Sequence, residues 1–227
     1  MKVSIPLCKP EDVDFPEYRD KEQLNRWLWR IVQIPYPLYL ITTVDENDVP
    51  NVEVNTWAMP FGFAPYQMFL FVCGMVHHTA QNALSTGEFV VNVPGDELGD
   101  RILRAARPYP RRIDEVTEAG FTALPAEVLR PPRIAECKAH FECRVTWHKE
   151  TDDQGGVLIA GRVVAASADQ DVVAGDIQAK IDVMGTIYVM PWNVDLERMV
   201  LTGDGTTTAF AGIGEVRFTI DKREDRS

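Results

Sequence analysis

The chain has 227 residues, 45% of them hydrophobic and 25% charged, with 23 Lys and Arg against 34 Asp and Glu. A net charge of −11 leaves no cationic stripe to neutralise a run of phosphates, which excludes nucleic acid but not one local phosphate site. The first fifteen residues lack an uninterrupted apolar core, and the longest apolar run, residues 68–76, is far short of a membrane span. A cytoplasmic protein with no membrane partner is expected. The four cysteines, at 8, 73, 137 and 143, show no metal-ligand pairing. Cys137 and Cys143 lie in one strand-like run, about 20 Å apart at strand rise, so they cannot bridge each other.

Residues 1–19 read as an irregular arm. From Asp20, a capping residue, Leu24, Trp27, Leu28 and Ile31 recur at helical spacing until Pro35 and Pro37 end the pattern. Residues 1–34 are therefore expected to form an arm and helix ahead of one main domain, residues 35–192. That domain opens with the strand LYLITTV and the turn DENDVPN. From Asn51, polar Asn51, Glu53 and Asn55 alternate with Val54, Thr56 and Ala58, as in a half-buried strand. The run MFLFVCGMV is apolar on both faces, which predicts a strand covered by a core on one side and by something else outside it.

A short polar helix over 78–86, ended by Gly87, leads into the strand GEFVVNVP. A longer helix is predicted over 96–106, with Asp96, Glu97 and Asp100 as helix-start charges, and RPYPRR follows as a loop. Over 137–147, Cys137, Ala139, Phe141, Cys143, Val145 and Trp147 share one face. Lys138, His140, Glu142, Arg144 and Thr146 share the other, so His140 and His148 read as solvated. TDDQGG joins this strand to GVLIAGRVVAASA as a hairpin. A strand over 184–190 closes the domain. Residues 193–227 read as an extension packed on it, with EVRFTIDK an edge strand and the last residues disordered. Many short strands between turn signals, with few helices, predict a mainly β, closed antiparallel barrel.

The sharpest candidate site is the strand-to-helix junction at His77-His78-Thr79-Ala80-Gln81-Asn82. A helix start gathers unpaired N–H groups and positive dipole, which suits a phosphate. The Thr79 hydroxyl, the Asn82 amide and the His77 and His78 imidazoles could ring one. The same residues would also serve a plain capped helix with solvated histidines. Asn92, polar within an apolar strand, must find partners and is read as support for the loop before that helix. Glycine-rich nucleotide loops, nucleophile elbows and metal-spaced ligands are all missing, so no catalytic residue and no metal site is assigned.

The order and wording of residues 35–192, above all HTAQN and TGEFVVNVP, resemble the flavin reductase-like family, near its flavoredoxin-like branch. The resemblance implies an FMN-binding split β-barrel, antiparallel and Greek-key-like, with a few decorating helices. It implies FMN phosphate at His77, His78, Thr79 and Asn82. Family members have Lys or Arg before this Thr and Asn three residues after it; Thr79 and Asn82 match, while histidines stand at the cation position. It also implies that Asn55, Thr56, Trp57, Ala58 and Met59 run beside the isoalloxazine ring; without it, they read as an ordinary barrel strand. Many flavin-reducing members carry a His near Gly156 or Val157, and this chain has none there. The implied activity is hydride transfer from NAD(P)H to FMN by a homodimer. The alternatives are a flavoredoxin-like electron carrier, an FMN enzyme acting on a small organic substrate, or a non-enzymatic flavin- or haem-binding module.

Overall fold

The computed structural model describes Ser4, residues 36–151 and 155–184, and four two-residue strands at 188–189, 194–195, 200–201 and 210–211. The expected N-terminal arm and helix, the EVRFTIDK strand and the disordered tail lie outside the described residues.

Seven strands form one antiparallel sheet: β1 (Tyr39–Val44), β2 (Pro50–Asn55), β3 (Ala58–Phe61), β4 (Met68–Gly74), β5 (Glu88–Val93), β6 (Ala139–Glu150) and β7 (Gly156–Ala168). Their spatial order is β2-β1-β5-β6-β7-β4-β3. The first hairpin is set by its turn: the Asp45 carboxylate accepts the N–H groups of Asn47 (2.8 Å) and Val49 (2.9 Å). The two edge strands, β2 and β3, are separated in sequence only by Thr56 and Trp57. A sheet whose two edges are joined by so short a bend must curl back on itself, and closure removes the exposed edges. Asn55 seals the seam. Its side-chain N–H₂ donates to the Val72 carbonyl (2.9 Å), and its oxygen accepts the Trp57 N–H (2.9 Å). The Val72 N–H in turn donates to the Trp57 carbonyl (2.9 Å).

Leu40 and Ile41 are consecutive and both fully buried, because β1 is covered on each face. Inside the barrel, Ile41, Phe69, Phe71, Phe89, Cys143 and Ile159 pack with Ala80 and Ala83 of helix α1 (His78–Thr86). Outside it, Leu38, Leu40, Val52, Ile102, Val116 and Ile134 form a second core. That core lies under helices α2 (Gly99–Ala105) and α3 (Glu115–Glu118). Burying one such Phe or Leu contributes about 1.5–3 kcal/mol. In β4, Phe69, Phe71 and Cys73 are buried while Met68, Leu70 and Val72 on the opposite face are half-buried.

Several expectations are corrected. The 96–106 helix is a 3₁₀ turn (Asp96–Leu98) followed by α2. Met184 ends a helix rather than starting a strand: α4 (Gln170–Ala174) and α5 (Ile177–Met184) precede a short strand, Tyr188–Val189. Ile177, Ile181 and Met184 carry helical spacing that a strand reading overlooks. His140 is buried, not solvated, its ring within 2.8 Å of the Ile134 carbonyl and 3.1 Å of the Ser167 hydroxyl. Burial holds its pKa below the ordinary value. Glu142 beside it is buried too, accepting the N–H groups of Glu127 (2.6 Å) and Val128 (2.9 Å). The segment approaching Arg133 runs over the face that alternation assigns to water. Trp147 is the converse, expected inward and found largely exposed, because β6 bulges at Thr146 and runs on past the core.

Asn92 differs as well. It donates to the Leu40 carbonyl (3.0 Å) and the Thr42 hydroxyl (3.1 Å), and accepts the Ile134 N–H (2.8 Å). It ties β5 to β1 and to the outer segment, not to the loop before α1. Cys73, Cys137 and Cys143 are buried free thiols whose pKa burial pushes up. Among the described residues no helix is long and apolar enough to cross a membrane.

Candidate functional site

β4 ends at Gly74, where a side chain would meet the His77 ring at 3.2 Å. The chain turns there, the His77 N–H donating to the Gly74 carbonyl (3.0 Å), and α1 begins. His77 is the N-cap in extended conformation, makes no capping hydrogen bond, and the first turn holds no acidic residue. Among the described residues, the unpaired N–H groups of the helix start are therefore left without a side-chain acceptor. Gly87, in the left-handed region at φ 73°, closes the helix as its sequence predicts.

Each histidine faces a carboxylate. His77 Nδ1 lies 3.6 Å from Glu53 Oε1, and that carboxylate holds its pKa above the ordinary imidazole value. His78 Nδ1 lies 3.1 Å from Glu115 Oε1, at the start of α3. Burial pushes the Glu115 carboxyl up, with His78 working against it. The Asn51 amide is satisfied when its nitrogen donates to Glu115 (3.0 and 3.2 Å) and its oxygen accepts the Thr79 hydroxyl (2.8 Å). Asn82 donates to the Thr43 hydroxyl (3.2 Å). Thr79 and Asn82 are thus buried and turned toward the β1–β2 hairpin.

The second expected segment meets the first through β2. Asn55 donates to Glu53 Oε1 (3.3 Å), and Glu53 reaches His77. Glu53 Oε2 is buried with no hydrogen-bond partner among the described residues. Asn55, Thr56 and Ala58 are buried, while Trp57 and Met59 are 43% and 52% exposed. Next to Met59, an apolar groove of about 540 Å³ is lined by Phe61, Met68, Phe69, Phe141, Val163 and Ala165.

Sequence reading missed Asn51, Glu53, Glu115, Arg111 and Arg112. A cavity of about 20 Å³ beside α1 is lined by Asn51, His78, Asn82, Arg111 and Arg112, with Asp45 and Glu115 also on its wall. Nothing local could have signalled this, since the arginines lie some thirty residues beyond the helix they approach. Among the described residues no group of His, Cys, Asp and Glu could hold a metal ion.

The two carboxylate–imidazole pairs give a pH expectation. His77 has a raised folded pKa, so its contribution is complete below about 6.5 and is lost as pH rises through the raised value. Glu115 is also raised, so its burial cost disappears as pH falls through its own folded value. Both act in one direction. The thermal midpoint is expected to be higher near pH 6 than near pH 8, with the difference reduced in His77→Ala. Equal slopes in parent and variant would show that His77 does not contribute.

Residues 31–179 match the flavin reductase like domain. The chain belongs to that family, and its barrel is the split barrel of flavin reductases. An uncharacterized protein of Methanothermobacter thermautotrophicus is 28% identical over 141 residues, spanning 61% of this chain and 66% of that protein. An uncharacterized protein of Archaeoglobus fulgidus is 30% identical over 129 residues, 57% of this chain and 71% of its own length. Among solved structures, nitrilotriacetate monooxygenase component B from Bacillus cereus superposes with TM-score 0.69 at 20% identity, covering 92% of this chain and 98% of that one. Flavoredoxin from Methanosarcina acetivorans gives TM-score 0.65 at 19% identity, covering 84% and 91%.

Proposed function

We propose that the chain binds FMN, with the phosphate at the start of α1 and the ring system along residues 55–59, and that it is an oxidoreductase taking hydride from NAD(P)H. The observation that carries the reading is the α1 start, which has neither a side-chain cap nor an acidic first turn in a family member's barrel. The residues present fit the group. Glu53 Oε2 is a buried acceptor without a donor among the described residues, and a flavin carries both ring N–H and ribityl hydroxyl donors. Trp57 and Met59 supply half-exposed apolar surface beside the seam.

A bound flavin would supply the two-electron chemistry. The chain's residues would then orient it and exclude water. Thr79 and Asn82 hold the helix start against the hairpin, Asn55 fixes the strand bend, and His77 and His78 face Glu53 and Glu115 beside it. The half-buried outer face of β4, with Met68, Leu70 and Val72, supports a homodimer. The absence of a membrane-length helix among the described residues accords with a cytoplasmic location.

A second reading keeps FMN and drops the nicotinamide, leaving a flavoredoxin-like carrier or an FMN enzyme with a small organic substrate. It is favoured by Gly156, which pairs with Gly74 and puts no imidazole at the β7 start. A flavin- or haem-binding module without catalysis is the third. Anaerobic mixing of the FMN-loaded protein with NADH and with NADPH separates them. The flavin band is expected to bleach with at least one nucleotide, slowly for want of that imidazole. Bleaching by dithionite alone would transfer the assignment to the second reading.

A further inference from the structure

The cavity beside α1 carries more positive charge than its own residues use. Asp45 and Glu115 on its wall are both engaged. Asp45 accepts two turn N–H groups, chiefly that of Val49, which hold its pKa below the usual carboxylate range; Arg112 adds a smaller pull. Glu115 is taken by His78 and Asn51.

The two guanidiniums make no such close contact. Arg111 and Arg112 are exposed, and neither makes an ion pair or hydrogen bond among the described residues. Four other arginines here are tied down, Arg101 to Glu136, Arg130 to Asp48, Arg133 to Glu127 and Arg144 to Glu88, whereas the exposed Arg107 has no side-chain partner among the described residues and does not line the cavity. In a chain of net charge −11, two adjacent guanidiniums beside a polar cavity, with no ion pair or hydrogen bond among the described residues, are a local excess of positive charge.

We infer that Arg111 and Arg112 recognise the phosphate of the ligand, supplying the cation that the histidines at 77 and 78 do not. This rests on the flavin reading above. The chemistry follows from the charges on the page. His77 and His78 already face the carboxylates of Glu53 and Glu115, which offset charge on the imidazoles. A phosphate approaching α1 meets no surplus charge in them. It meets it in the two arginines, whose planar forks match phosphate oxygens. The shared chemistry is a phosphate group. Its sources are the monoester of FMN and the diphosphate of FAD.

The test is titration of the full chain with riboflavin, FMN and FAD, comparing the parent with a double variant, Arg111→Gln with Arg112→Asn. Asn is chosen because residue 112 sits at φ 68°, a region Asn tolerates. The parent is expected to prefer FMN to riboflavin. In the double variant FMN should bind about tenfold more weakly, riboflavin should be unchanged, and the salt dependence of FMN binding should flatten. Arg107→Gln removes an exposed charge that does not line the cavity and should change nothing. A selective loss for FAD rather than FMN supports the assignment with the diphosphate as its source. Equal changes for all three flavins, no change, or an equal loss in Arg107→Gln overturns it while leaving flavin binding intact. If the parent binds no flavin, the flavin reading itself fails, and this inference with it.

Discussion

Asn92→Leu should cost about 3 kcal/mol of stability, a large effect for a substitution that nearly conserves volume. The side chain is fully buried and holds three segments at once. It donates to β1 at Leu40 and Thr42, and accepts the Ile134 N–H of the outer segment. Leucine fills the space but leaves that N–H without its acceptor in a dry interior, where each unmet polar group costs about 1–3 kcal/mol. Urea unfolding should show the midpoint falling with an unchanged slope. A loss below about 1 kcal/mol would mean that the outer segment shifts and finds water instead.

Asn55→Ala should be the most damaging change at the site itself. The seam between β2 and β4 has this amide as its side-chain link, through the Val72 carbonyl, and the bend into residues 56–59 depends on its oxygen. A loss of about 2 kcal/mol is expected. Amide exchange at Val72 and Trp57 should rise, since the Val72 N–H donates across the same seam. Because residues 56–59 would no longer be held, FMN affinity should drop about tenfold alongside. Unchanged protection at both amides would show that the strand bend holds without the side chain.

The two asparagines mark how far sequence reading reaches. Asn92 stands out as a polar residue in an apolar strand, so its need for partners was legible; Asn55 read as part of the polar face of a half-buried strand, and its burial was not. Their partners were not, because Val72, Leu40 and Ile134 lie 17, 52 and 42 residues away. The local signals held: α1 from its polar start to Gly87, the β1–β2 turn from its Asp and Pro, and the β6–β7 hairpin. Alternation over 137–147 misplaced His140 and Trp147, since period-two logic says which residues share a face but not what covers it. The site was half visible in the same way. HHTAQN announces a helix start, whereas the carboxylates facing it come from β2 and α3, and the arginines from a loop that reads only as RPYPRR.

The strand order also sets the timetable of assembly. β1 pairs with β2, and β3 with β4, across short connections. β4 meets β7 only across the middle of the chain: Phe71 lies opposite Ile159, 88 positions later by subtraction of the two numbers. Loop-closure entropy and high contact order place that ladder among the slow steps of folding. On the ribosome, the free edge of β4 waits for residues 156–162, and until they emerge it is the strand most open to pairing with the wrong neighbour.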